Sequence, residues 1–168
     1  MRPRPAAVRL RAATPADAAA MARVMRAAVR AQAGRYPPRL LAAWGALPAL
    51  YHRWALSVGG EARVVALQAG RIVGFAGARG GEVTTLFVHP AFGGRGTGAR
   101  LLAAAEALAH RGARPRLTLL AARAAVPFYA AHGWRRLGPA PSPLPGGLAL
   151  PATRMAKAGR SRARPPGG

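Results

Sequence analysis

Between Glu82 and Leu102 a β-branched, apolar run passes directly into a glycine-rich loop and then into the start of an amphipathic helix. Glu82-Val83-Thr84-Thr85-Leu86-Phe87-Val88 has the composition of a buried strand, and Pro90 stops it. Gly93, Gly94, Gly96 and Gly98 follow within six residues. Leu101, Ala105 and Leu108 then recur at helical spacing, with Leu102 and Ala109 beside them. Strand, glycine loop and helix start, in that order, bring backbone N–H groups and a helix N-terminus together on an anion, most often a phosphate. Glycine suits such a loop because a Cβ would hold phosphate oxygens off the amides, and because it takes positive φ without strain. Arg95 and Arg100 add positive charge nearby. The stretch reads as a phosphate cradle.

The cradle lies in a chain of 168 residues, a length that predicts one domain with a sizeable core. Residues 1–156 are expected to form that domain, and the basic, Pro/Gly-rich residues 157–168 a disordered tail. Cysteine is absent, which excludes disulfides, a thiolate metal site and a cysteine nucleophile; no metal is expected. The N-terminus does not resemble a signal peptide, and no apolar run approaches the roughly 18 residues of a membrane span. The expectation is a soluble, cytoplasmic protein without a membrane partner.

The net charge of +22 invites a nucleic-acid reading. All but Lys157 of the 26 basic residues are arginine, however, and they are spread along the chain in the manner of a GC-rich codon bias. More useful is the scarcity of acids. Asp17, Glu61, Glu82 and Glu106 are the whole supply of side-chain carboxylates.

Val8 to Ala13 reads as a first strand, and Thr14-Pro15-Ala16-Asp17 as a capped helix start. Met21, Val24, Met25, Ala28 and Val29 give the helix that follows one apolar face, and Gly34 ends it. Asp17 is then a helix-start residue rather than a catalyst. Tyr36, Trp44, Tyr51 and Trp54 cluster on a second helical region, either as a packed hairpin or as a lid over a pocket. Glu61 to Leu67 and Arg71 to Ala78 form two strands joined at Ala69-Gly70. With the strand from Glu82 they make an antiparallel meander. A helix from Gly98 to His110 leads to a strand from Arg116 to Leu120, parallel to the strand ending at Val88. Ala121 to His132 reads as a helix stopped by Gly133, with strands at Trp134 to Leu137 and Leu148 to Met155. Glu61 and Glu106 read as exposed. Glu82, six residues before Val88, falls on the same strand face by simple alternation.

Three loop types compete for the cradle. A P-loop would follow its last glycine with lysine and then Ser or Thr, where this chain has Ala99-Arg100. A dinucleotide fold is met loosely by Gly94-x-Gly96-x-x-Ala99, but that fingerprint should follow the first strand and be trailed by an acid some 20 residues on. Neither condition holds. The third type is carried by Val88-x-Pro90-x-x-Gly93-Gly94-Arg95-Gly96-Thr97-Gly98, which resembles the acetyl-coenzyme A motif of the GNAT N-acetyltransferase superfamily. Val8 to Asp17 resembles that family's opening strand and capped helix, Gly70 to Ala76 its second hairpin, and Phe128-Tyr129-Ala130-Ala131-His132-Gly133-Trp134 its late aromatic signature. The likeness spans roughly residues 8 to 155. Two positions depart from the pattern: Gly93 stands where the family usually has Arg or Gln, and Ala122 where it often has Asn.

The resemblance implies an α/β fold with a mixed six- to seven-stranded sheet flanked by about four helices. It also implies acetyl-CoA as co-substrate and direct attack by an acceptor amine. Gly93, Gly94, Arg95, Gly96, Thr97, Gly98 and Ala99 would hold the pyrophosphate, and Phe87 and Val88 would offer backbone groups to the pantetheine arm, with Ala122 and Phe128 beside the cofactor. Glu82 is the implied base, with His89 as rival, and Tyr129 the acid that meets the departing sulfur. General acid–base help of this kind is worth about 10²–10⁴-fold. The scarcity of carboxylates argues against polycationic acceptors and for a small neutral or anionic amine. A basic nucleic-acid-binding module and a family member that binds CoA without turnover are the alternatives, and a homodimer stays open.

Overall fold

The computed structural model describes residues 6–112 and 114–159. A short strand, β1 (Arg9–Ala12), runs into a turn at Thr14 and then the helix α1 (Ala18–Arg30). The Asp17 carboxylate accepts the Thr14 backbone N–H at 2.8 Å and both outer nitrogens of Arg11 at 2.7 and 2.9 Å. It therefore fixes the helix start, as its position predicts. Two short helices follow, α2 (Pro38–Gly45) and α3 (Ala49–Ser57). Next come β2 (Ala62–Gln68), β3 (Arg71–Arg79) and β4 (Glu82–Val88) as the antiparallel meander. Ala69 and Gly70 both take positive φ, 49° and 74°, which a two-residue hairpin needs to match strand twist.

After β4 come α4 (Thr97–His110), β5 (Arg116–Ala122), α5 (Val126–Ala131) and β6 (Arg135–Pro139). The small pair β7 (Ser142–Pro143) and β8 (Ala149–Leu150) precedes β9 (Ala152–Ala158). The main sheet has seven strands in the order β1-β2-β3-β4-β5-β9-β6. Only β4 and β5 are parallel neighbours, as a helical crossover between them requires. One face packs on α4 through Val64, Ala76, Leu101, Leu102 and Leu117. The other packs on α1 through Met21, Met25, Val65 and Phe75. This is the mixed α/β sheet expected, at seven strands and with five α-helices.

Three boundaries differ from expectation. The segment read as a helix from Ala121 is strand to Ala122, then a short 3₁₀ turn, then α5; Pro127 sits in the first turn of α5, where its missing N–H costs nothing. Pro151 divides the last strand into β8 and β9. Lys157 and Ala158, assigned to the tail, pair with Leu117 and Arg116 within the sheet. The remaining tail, residues 160–168, lies outside the described residues.

Candidate active site

β4 and β5 pair at a single register position, Glu82 opposite Thr118, where the Thr118 N–H donates to the Gly81 carbonyl at 3.1 Å. Beyond that point no register pairs them, and a cavity of about 390 Å³ lies between them. Val83 to Val88 line it from β4, Leu120 and Ala122 from β5, and Tyr129 from α5. Ala28, Gln32 and Arg35 line it from α1 and the turn after it, Trp44 from α2, and Ser142 and Leu150 from the small ribbon. Of the four aromatics expected to cluster, Trp44 lines this cavity, while Tyr36 is buried edge-on against it at 5.9 Å. Arg35 is the one charged residue among the lining residues, and the buried Gln32 Oε1 has no hydrogen-bond partner among the described residues. Tyr129 is 7% exposed, its ring edge-on to Phe128 and Trp134. Burial pushes its phenol well above the ordinary value, so at neutral pH the hydroxyl keeps its hydrogen.

The cavity ends at Val88 and Pro90, where the glycine loop begins. Gly94 and Gly96 take φ of 67° and 80°, with open space where a side chain would stand. Gly96 is the N-cap of α4, and no side chain among the described residues caps that helix. Its first backbone bond runs from the Arg100 N–H to the Gly96 carbonyl, so the N–H groups of Thr97, Gly98 and Ala99 have no intrahelical acceptor. Three free donors at the positive end of a 14-residue helix, reached over an exposed loop, can hold an anion.

The sequence profile of the acetyltransferase (GNAT) domain matches residues 46–142, more than half of the chain. This chain belongs to the GNAT acetyltransferase family. A GCN5-related N-acetyltransferase from Rhodopseudomonas palustris, described as an aminotransferase of class II, superposes with a TM-score of 0.82 at 27% identity, over 94% of this chain and 99% of that one. The PaiA N-acetyltransferase of Thermoplasma acidophilum, solved with coenzyme A, gives 0.71 at 17% identity over 90% and 99%. YncA of Salmonella typhimurium, solved with acetyl-CoA, gives 0.70 at 22% identity over 95% and 98%. No curated protein matches the chain in sequence.

Within this acetyltransferase fold the site residues expected from sequence divide. Phe87, Val88, Ala122 and Tyr129 line the cavity. Gly93 to Ala99 form the loop and helix start, but Thr97 is buried and its hydroxyl has no partner among the described residues, which leaves its backbone as the available group. Arg95 is exposed, whereas Arg100 donates to the Val8 carbonyl at 2.6 Å and is tied to the first strand. Phe128 does not line the cavity; its ring lies 3.5 Å from where a Cβ on Gly98 would stand and braces the start of α4. His89 caps its own turn, its Nδ1 accepting the Ala91 N–H at 3.2 Å.

Glu82 is the correction of most consequence. It does not line the cavity, and it does not share a face with Val88. Thr85 pairs with Gly77 and Val83 with Ala78, so Thr84 is an extra residue, a β-bulge. The bulge reverses the alternation: Val83 before it and Leu86 and Val88 after it all pack on the α4 layer.

The acetyltransferase has a different carboxylate close behind the cavity wall. Glu61, expected to be exposed, is 7% exposed and lies against Arg63, which donates to it through Nε and through one outer nitrogen, both at 3.0 Å. The Thr84 hydroxyl donates to Glu61 Oε1, and that of Thr85 donates to the same oxygen at 3.4 Å. Arg63 also donates to His52 Nδ1 at 2.6 Å. Burial, with the Arg63 charge added to it, lowers the His52 pKa to about 4, so the ring is neutral and Nε2 carries its hydrogen. That Nε2 has no partner among the described residues. Glu61 and Arg63 alternate at i, i+2, the one signal in the sequence that could have paired them. Glu106, also expected to be exposed, accepts from Lys157 Nζ at 2.9 Å and Trp134 Nε1 at 2.8 Å, across a separation no local pattern records.

Proposed function

We propose that this chain transfers an acetyl group from acetyl-CoA to the primary amine of a small molecule that also carries an anionic group. The observation that carries the choice of acceptor is the charge of the cavity wall: one arginine, Arg35, and no acid. A carboxylate or similar anion on the acceptor can meet that guanidinium, whereas a polyamine would find no counter-charge. The family and the acetyl-CoA or coenzyme A held by its structural neighbours support the donor.

The backbone from Gly93 to Ala99 fits a pyrophosphate, because its free N–H groups and glycine φ values need no side chain from the loop. Gly93 in place of a longer polar residue leaves that cradle intact. The backbone of Phe87 and Val88, on the edge of β4 that β5 leaves unpaired, would hold the pantetheine amides, and Ala122 faces the same cavity without a polar contact to add. Acetyl-CoA would supply a thioester carbon for the amine to attack directly, the new C–N bond replacing the C–S bond. Tyr129 would donate its hydrogen to the departing thiolate, a role suited to a phenol that burial keeps protonated, and the hydrogen shed by the nitrogen as the amide forms would restore the phenol, directly or through water.

Calorimetry with acetyl-CoA, and release of free thiol in the presence of amino acids, spermidine and an aminoglycoside, test the reading. Binding of acetyl-CoA and faster thiol release with an amino acid than with either polycation are expected. Fastest release with spermidine or the aminoglycoside would overturn the acceptor class.

A further inference from the structure

The cavity wall has no acid, yet an amine that enters it needs an acceptor for its N–H groups. The lining includes Gln32, Tyr129 and Ser142, and on β4 two adjacent threonines, Thr84 and Thr85, which alone share a hydrogen-bond partner behind the wall. Neighbours on a regular strand face opposite ways, and the bulge at Thr84 is what turns both toward Glu61. A carboxylate accepts and never donates, so each hydroxyl hydrogen is committed to Glu61, leaving oxygen lone pairs for the cavity. Arg63 donates to both carboxylate oxygens, through Nε to the oxygen the threonines share and through an outer nitrogen to the other, and His52 holds Arg63.

The packing around the cluster has been opened to admit it. Gly77 lies between Arg63 and Thr85 in the sheet, paired to both. A Cβ there would collide with Glu61 Oε1 and would stand 2.9 Å from Thr85 Oγ1 and 3.0 Å from Arg63 Cγ. Gly77 is not at positive φ, so the reason for glycine is space rather than backbone conformation. Bulge, glycine and buried ion pair converge on the same two hydroxyls.

We infer that Thr84 and Thr85 form the acceptor-amine subsite, and that Glu61 is a positioning residue that orients their hydroxyls as hydrogen-bond acceptors. This rests on the acetyltransferase reading above. It explains how a cavity without a carboxylate receives a cationic or neutral amine: the acid sits one hydrogen bond behind the wall, neutralised by Arg63 and felt through the threonines. The choice of amine follows as well. A primary amine has hydrogens to donate to both oxygens while its lone pair stays free for attack, whereas a tertiary amine has none.

The test compares wild type with Thr84→Val, Thr84→Ser, Thr85→Val and Glu61→Gln, using the amino acid acetylated fastest in the thiol-release screen. Thr84→Val keeps the shape of the side chain and removes the hydroxyl. It is expected to lower kcat/KM for the amine about 10- to 100-fold, chiefly through KM, while the acetyl-CoA Kd stays within about twofold. Thr84→Ser is expected to restore most of the loss, which a role confined to strand packing would not. Glu61→Gln is expected to act in the same direction, and because it touches a buried pair, the threonine variants carry the decision if it unfolds. Amine kcat/KM within twofold of wild type in both Thr84→Val and Thr85→Val would overturn the inference while leaving the acetyltransferase reading untouched. Failure of the wild type to bind acetyl-CoA would overturn that reading, and this inference with it.

Discussion

Tyr129 lines the cavity and Glu82 does not, although the sequence points to both as a catalytic pair. The role of Tyr129 is implied by the resemblance of Phe128 to Trp134 to the family's late aromatic signature, a contiguous run that α5 and the turn after it carry intact. Glu82 was placed by alternation along seven strand residues, and one bulge at Thr84 undoes that count. Nothing in Val83-Thr84-Thr85-Leu86 marks the bulge, since both threonines suit a strand equally. Unequal effects are expected on substitution. Tyr129→Phe should lower kcat by about 10²-fold or more with acetyl-CoA affinity unchanged, since it removes only the hydrogen offered to the sulfur. Glu82→Gln should leave kcat/KM within about twofold, because its side chain does not line the cavity. Steady-state thiol release on the two variants checks both.

Among elements, the strand–loop–helix from β4 to α4 was legible because its parts are local: a β-branched run, a proline stop, glycines and a helical repeat. The opening between β4 and β5 was not, because it depends on pairing across a long crossover and on where that pairing fails. The same limit hides the helix–strand exchange at Ala121 and Ala122, where pairing with Thr153 and Ala152 of β9 overrides alanine's helix preference. The loop glycines have separable jobs. Gly96→Ala forces a Cβ onto an N-cap at φ 80° and should destabilise the protein by about 1–2 kcal/mol, while weakening acetyl-CoA binding as the loop adjusts. Gly98→Ala meets the Phe128 ring at an ordinary 3.5 Å, is not at positive φ and lies inside a helix. Its stability should change by less than about 0.5 kcal/mol or improve, since alanine is the better helix former. Thermal unfolding and calorimetry on the two variants distinguish these outcomes.

At the scale of the molecule, few groups can set the response to acid. Three of the four carboxylates are held in ion pairs, Asp17 with Arg11, Glu61 with Arg63 and Glu106 with Lys157. Asp17 is depressed to about 2, first by the Arg11 hydrogen bonds, so its stabilisation is present above about 4 and is lost as pH falls toward 2. His52 acts earlier. Its folded pKa of about 4 lies below the ordinary 6.5, so between those values the unfolded chain binds a proton that the folded protein refuses. Stability should therefore fall as pH drops from about 6.5 to about 4, by about 2–3 kcal/mol if the ring stays buried throughout, and the Asp17 loss takes over from about 4 downward. The groups facing the ring act in both directions, Arg63 and Arg26 against its charging and Glu61 for it, with burial the largest cause. His52→Gln keeps a side-chain acceptor for Arg63 and removes the titration. In urea unfolding at a series of pH values, the variant should lose the slope between pH 6.5 and 4 and keep the one between 4 and 2. A wild type whose unfolding midpoint is level from pH 7 to pH 4 would mean that His52 takes up its proton in place, with Glu61 outweighing burial.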